Sequence, residues 1–178
     1  MTAVEAALRT RSAAATRALG ERLGKLLRPG DAVALLGDLG AGKTQLVRGI
    51  CRGAGVPDDE VSSPTFAIVA TYRGRLPVFH ADLYRIADED ELFATGFGDL
   101  VGGEGALLVE WADRIPGALP EERLTLRLAH HPRLPDVRTV AVEGRGTRHA
   151  ALARALAAPP ARTRARSSTA RPRRPKKR

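Results

Sequence analysis

The apolar positions of the chain change period several times, and each change marks an element. Over residues 2–27, Leu8, Leu19, Leu23, Leu26 and Leu27 stand among alanines at helical intervals, predicting a helix that ends at Arg28-Pro29-Gly30. Asp31 then opens the apolar run 32–36, read as a buried strand, and a second helix is expected from Lys43 to about Ala54, stopped by Gly55 and Pro57. Pro64 disfavours helix at Ser63 and gives residues 61–66 an extended, loop-like path. Residues 67–72 and 76–83 read as strands joined by Arg73-Gly74-Arg75, an antiparallel hairpin. A short helix with acids at its positive end is expected from Asp88 to Phe93, closing at Gly96. After the glycine-rich link 102–105, the apolar run 106–109 ends in Glu110-Trp111, the way a buried central strand presents a carboxylate at its end. Strands at about 123–129 and 137–142 and a helix over about 147–157 complete the pattern.

The length of 178 residues suits one domain with a real core. Cys51 is the single cysteine, so an intrachain disulfide and a four-cysteine zinc site are both excluded. No apolar run is long enough to span a bilayer, and Arg9, Arg11, Arg17 and Arg22 break up the alanine-rich start, so a secretory signal is not expected and the cytoplasm is. The net charge of +9 suggests nucleic acid until it is located. Residues 159–178 carry nine Arg or Lys and no acid, leaving 20 basic and 20 acidic residues in a neutral body. This gives two expected regions: a catalytic body, 1–158, and a disordered Pro/Arg-rich tail, 159–178. The tail is a candidate for sequence-independent RNA contact, with a dispensable solubilising role as the alternative.

Gly37-Asp38-Leu39-Gly40-Ala41-Gly42-Lys43-Thr44 fits the phosphate-binding loop G-x-x-x-x-G-K-[ST], between the expected strand and helix that the motif requires. Glycines let backbone N–H groups turn onto phosphate oxygens, and the following helix aims its unpaired N–H groups at the same anion. Asp38, Leu39, Gly40, Ala41, Gly42, Lys43 and Thr44 are therefore candidate nucleotide-binding residues. Lys43 answers the outer phosphates and the Thr44 hydroxyl is a candidate Mg²⁺ ligand. The expected fold is α/β, a P-loop NTPase-like three-layer arrangement with a mixed, mostly parallel central sheet.

Three further residues fit the remaining roles of such a site. Glu110 is a candidate Mg²⁺ ligand, directly or through water; an exposed strand-end acid is its plain alternative. Asp82 shares a strand face with His80 and Tyr84, either of which would hold it while it positions water; a salt-bridged surface strand is the alternative. Thr65 is placed to close on the outer phosphate, unless its hydroxyl only satisfies a turn. His130 and His131 lack partners at metal-ligand spacing and read as loop or strand-end residues, and Trp111 as a packing residue and optical reporter.

GDLGAGKT, SPTF, HADLYR and VEW in this order resemble the TsaE (YjeE) family of bacterial ATPases in tRNA threonylcarbamoyladenosine biosynthesis, over about residues 16–142. The resemblance implies an ATPase, slow alone, that supports turnover by the TsaB and TsaD proteins and meets tRNA only through them. It implies ATP contacts at Gly40 to Gln45, Mg²⁺ at Thr44 and Glu110, and a need for Asp82 in turnover. It also implies a nucleotide neighbour at Thr16, and a nucleotide-contacting arginine for which Arg138 is the best match. Two other functions are compatible with the residues: a small-molecule kinase, for which no lid is visible, and an RNA-binding protein working through its tail, which leaves the P-loop unexplained.

Overall fold

Five apolar residues in succession, Ala32–Leu36, form the central strand β2, and all are buried because the sheet is covered on both faces there. The computed structural model describes residues 3–57, 61 and 68–159. Around β2 lie β1 (Ala3–Thr10), β3 (Val69–Tyr72), β4 (Val78–Asp82), β5 (Ala106–Glu110), β6 (Leu124–His131) and β7 (Leu134–Arg145), in the spatial order β1-β7-β6-β2-β5-β4-β3. β6, β2, β5 and β4 are mutually parallel; β3 runs antiparallel to β4, and β7 antiparallel to both β6 and β1. Only β3 and β7 oppose the common direction, which is the mixed, mostly parallel sheet expected from the sequence.

The helices are α1 (Ala13–Leu26), α2 (Lys43–Gly53), α3 (Glu89–Ala94) and α4 (Gly146–Ala157). Strand alternation divides the core into two layers. Val33, Leu35, Leu108, Leu126 and Val140 pack with Leu23, Ile50 and Leu152 of α1, α2 and α4. Ala34, Leu36, Leu107 and Val109 pack on the other face with Leu92 of α3 and with Phe97. By the same parity, His80, Asp82 and Glu110 face the α2 side, because Val78 and Leu108 do.

The first element corrects the expected helix over 2–27. Residues Ala3–Thr10 are a strand, with Val4, Ala6 and Leu8 turned inward and Glu5, Ala7 and Arg9 outward. The alanines that suggested helix are indifferent to period, whereas β7 is long enough to pair along all of β1, from Ala3 opposite Arg145 to Thr10 opposite Arg138. The helix proper begins after Ser12, whose hydroxyl accepts from the Ala15 N–H at 3.0 Å. The last two strands are also longer than expected, and they form an antiparallel hairpin with an irregularity at His130/His131.

Close contact between α1 and α2 fixes what stands beside the loop. Gly20 and Gly24 of α1 lie against the backbone of α2, and Gly49 and Gly53 of α2 against that of α1; a Cβ on any of the four would overlap the opposing main chain. The usual helix advantage of Ala over Gly, about 1 kcal/mol, is lost here to overlap. Cys51 is buried in the same layer, and burial pushes its thiol up to about 12, which leaves it unreactive. Among the described residues no helix is long and apolar enough to cross a membrane.

Candidate functional site

The loop between β2 and α2 leaves the carboxyl end of the central strand, where α/β sheets hold their ligands. Gly37 has φ 131°, and a Cβ there would overlap the Leu128 carbonyl of β6, so the chain turns out of the sheet only because the residue is glycine. Gly42 caps α2 with φ 104° and makes no side-chain cap bond, which leaves the helix N-terminus the geometry of an anion site.

Lys43 is 5% exposed. Its ammonium donates to the carbonyls of Gly37 at 2.6 Å and Asp38 at 3.0 Å, and lies 3.6 Å from the ring centre of Trp111. Burial lowers its pKa, while Glu110, Asp82, Asp113 and Asp38 act in the opposite direction. Trp111, the first residue after β5, is the one non-glycine with positive φ, 57°, among the described residues. That bend, which costs about 1–3 kcal/mol, lays the indole over Lys43 and against Tyr84, at 4.9 Å between ring centres.

Glu110 ends β5 at 2% exposure and divides its two oxygens between neighbours. Oε2 accepts from the Thr44 hydroxyl at 3.3 Å, and Oε1 meets His80 Nε2 at 3.0 Å. Asp82 pairs in register with Glu110 on the adjacent strand and accepts the Tyr84 backbone N–H at 2.9 Å. Its pKa is raised, chiefly by burial and further by Glu110, against the Tyr84 N–H, His80 and Lys43. The structure thus brings Lys43, Thr44, Asp82 and Glu110 together at one end of the sheet. His80 holds Glu110 rather than Asp82, and Tyr84 holds Asp82 through its backbone rather than its ring.

The remaining expected residues are also placed around the loop. The Thr16 hydroxyl bonds that of Thr10 at 2.8 Å, and its methyl faces Gly42, 3.9 Å from where a Cβ would stand. Arg138 Nε donates to the Ala41 carbonyl at 3.1 Å, which ties β7 to the loop. Asp38, Leu39 and Gly40 form the exposed tip, Leu39 at 79%. Gln45 is set just inside, its Oε1 buried without a hydrogen-bond partner. Thr65 lies outside the described residues. Two residues gain a place that the sequence reading did not give them: His130, whose ring sides Gly40, and Trp111, which covers Lys43. Only strand pairing puts His130 beside Arg138 and the loop, so no local signal identifies it.

A hydroxyl and a carboxylate oxygen side by side are hard donors of the kind Mg²⁺ takes, and one protein carboxylate with substrate phosphates is its usual set. Among the described residues no group of three or more His, Cys, Asp or Glu forms a self-sufficient metal cage. The Thr44 hydroxyl and the Glu110 carboxylate fit a cation brought in with a phosphate.

Comparison with known proteins identifies the family. Residues 10–139 match the family model "Threonylcarbamoyl adenosine biosynthesis protein TsaE". The chain is 41% identical over 119 residues to the tRNA threonylcarbamoyladenosine biosynthesis protein TsaE of Treponema pallidum, covering 67% of this chain and 87% of that one. It is 41% identical over 140 residues to the TsaE of Streptomyces coelicolor, covering 75% and 93%. The crystal structure of Bacillus subtilis YdiB superposes with a TM-score of 0.72 at 30% identity, over 88% of this chain and 96% of that one. With a P-loop NTPase-like fold and matches over most of its length, the chain belongs to the TsaE family of threonylcarbamoyl adenosine biosynthesis proteins.

Proposed function

We propose that this chain is a Mg²⁺-dependent ATPase of the cytoplasm. It is required for the threonylcarbamoyl group on adenosine 37 of tRNAs that read codons beginning with A, and it supports turnover of a TsaB–TsaD complex. The observation that carries this reading is the pairing of Thr44, in the first turn of α2, with Glu110, with Lys43 alongside and no side-chain cap at the helix N-terminus.

Each residue has a role in that reaction. The free N–H groups of the loop and of α2 bind the phosphate chain, and Lys43 shifts from the Gly37 and Asp38 carbonyls to the outer phosphates. Mg²⁺ bound with the nucleotide neutralises charge developing on the phosphate oxygens. Thr44 and Glu110 would hold that ion, and Asp82, beside Glu110 on the adjacent strand, positions the attacking water. Thr65 closes on the outer phosphate. Thr16 and Arg138 fix the flanks of the loop against the nucleotide, joined by Asp38, Leu39 and Gln45. The body, 1–158, carries the activity, tRNA is met through the partners, and the basic tail, 159–178, adds contact with RNA.

The test is steady-state phosphate release from ATP and Mg²⁺, alone and with the TsaB–TsaD pair, for the wild type, Lys43→Ala and Glu110→Ala. Slow release, altered by the partners and lost in both variants, is the expected result. Release indifferent to the partners would overturn the coupled role, and release surviving Lys43→Ala would overturn the ATPase reading itself.

A further inference from the structure

We infer that His80 is a positioning residue for Glu110, and that its bond to one carboxylate oxygen sets the affinity of the site for a divalent cation. The inference rests on the reading of Thr44 and Glu110 as the ligands of that cation, and assigns the control of their geometry to a residue that touches neither nucleotide nor metal.

His80 is 0% exposed, in the middle of β4 and on the face that carries Val78 and Asp82. A carboxylate only accepts, so the 3.0 Å contact has His80 Nε2–H donating to Glu110 Oε1. The opposite oxygen, Oε2, is then the one turned to Thr44, 3.3 Å from its hydroxyl. A glutamate at a strand end has three torsions to fix, and this bond fixes them before any cation arrives. In the parallel register His80 stands opposite Leu108 and Asp82 opposite Glu110, so the ring reaches one side-chain step forward along the sheet to make the contact.

The other ring nitrogen argues that the bond is the reason for a histidine here. Nδ1 is buried with no hydrogen-bond partner, and the ring packs toward Tyr72 at 6.2 Å between centres. An unpaired buried nitrogen is unfavourable in a core position that an aliphatic side chain would fill without that cost. The ring's only hydrogen bond among the described residues runs to the proposed ligand.

The experiment uses the full chain with His80→Leu, His80→Gln, His80→Asn and Glu110→Gln. Mg²⁺ is titrated into the ADP complex and followed by the fluorescence of Trp111, the only tryptophan. ADP binding in EDTA and the urea midpoint are measured beside it. His80→Leu is expected to raise the Mg²⁺ concentration for half-saturation by about 10–100-fold, with metal-free ADP binding unchanged. His80→Gln, whose amide nitrogen can reach the place of Nε2, should recover most of the loss; His80→Asn, whose amide nitrogen falls near Nδ1, should not. If His80→Leu leaves half-saturation at the wild-type value while Glu110→Gln shifts it, His80 only packs and the inference is wrong. Equal recovery by Asn and Gln, or loss of metal-free ADP binding along with Mg²⁺ binding, would also overturn it. If Glu110→Gln shifts nothing either, the failure lies in the assignment of the cation to Glu110.

Discussion

At its amino end β2 is entered from Asp31, whose carboxylate accepts Arg148 Nε at 2.9 Å, Arg148 Nη2 at 2.6 Å and the Arg28 backbone N–H at 2.8 Å. Arg148 also caps the Leu26 carbonyl at 2.7 Å, and His149 Nε2 accepts the Ala32 N–H at 3.3 Å, so α1, β2 and α4 are locked at one point. At its carboxyl end the same strand runs into Lys43, whose charge is disfavoured by burial, Asp82, held toward its protonated form, and Trp111 in a left-handed bend. Gln45 Oε1 and His80 Nδ1 there have no partners, against His149 Nδ1 alone at the other end. Charges that satisfy one another stabilise; charges and N–H groups left poised for a phosphate do not, and the fold must supply their stability from elsewhere.

The sharpest way to break this contrast is Lys43→Ala. Loss of one phosphate-directed donor is expected to lower ATP hydrolysis by about 10²–10³-fold, while the urea midpoint holds or rises because a buried cation has gone. A fall in the midpoint would show that Lys43 stabilises its own loop and that the two ends do not differ as described. The converse change is Asp31→Ala. It leaves Arg148 and the Arg28 N–H without their acceptor and is expected to cost about 3 kcal/mol, the low end for a buried pair because Arg148 keeps 31% of its side chain in solvent. Nucleotide affinity, measured where the variant is still folded, should not move.

The carboxyl end was legible because its signals are local. The loop and its helix are neighbours in sequence, and Glu110, 66 positions from Thr44, is marked by the apolar run that it ends. The amino end was not legible: Asp31 and Arg148 are 117 positions apart, and only the return of α4 beneath the sheet joins them. The same limit hid His130 beside Gly40, since β6 has to pair with both β2 and β7 before its end reaches the loop. For His80 the face was readable but not the partner, because alternation gives a side and only the β4–β5 register says which carboxylate is met. Residues Ala3–Thr10 failed for another reason: alanine carries no period, and the long partner strand decides in favour of β1.

Acid titration sharpens the contrast with smaller effects of opposite sign. Asp82 has a raised pKa, so between the ordinary value of 3.8 and its own the native state holds a proton that the unfolded chain has lost. Its contribution therefore declines as pH rises through that window, and Asp82→Asn should be more stable than wild type at neutral pH and level with it in acid. His149 is lowered, by burial first and by Arg148, against Asp31, Glu122 and the Arg145 backbone. Its contribution is present above the ordinary value of 6.5 and is lost as pH falls through the folded value, because the unfolded ring takes up its proton first. His149→Gln keeps an acceptor for the Ala32 N–H and should flatten that acid limb in urea midpoints taken from about pH 5 to about pH 8. The two variants then separate on activity. Asp82→Asn should lower phosphate release and remove its dependence on that carboxyl, while His149→Gln should leave the pH profile of release where it was. A profile that moved with His149 would mean the amino end reaches the chemistry, and that β2 couples its two ends instead of dividing their work.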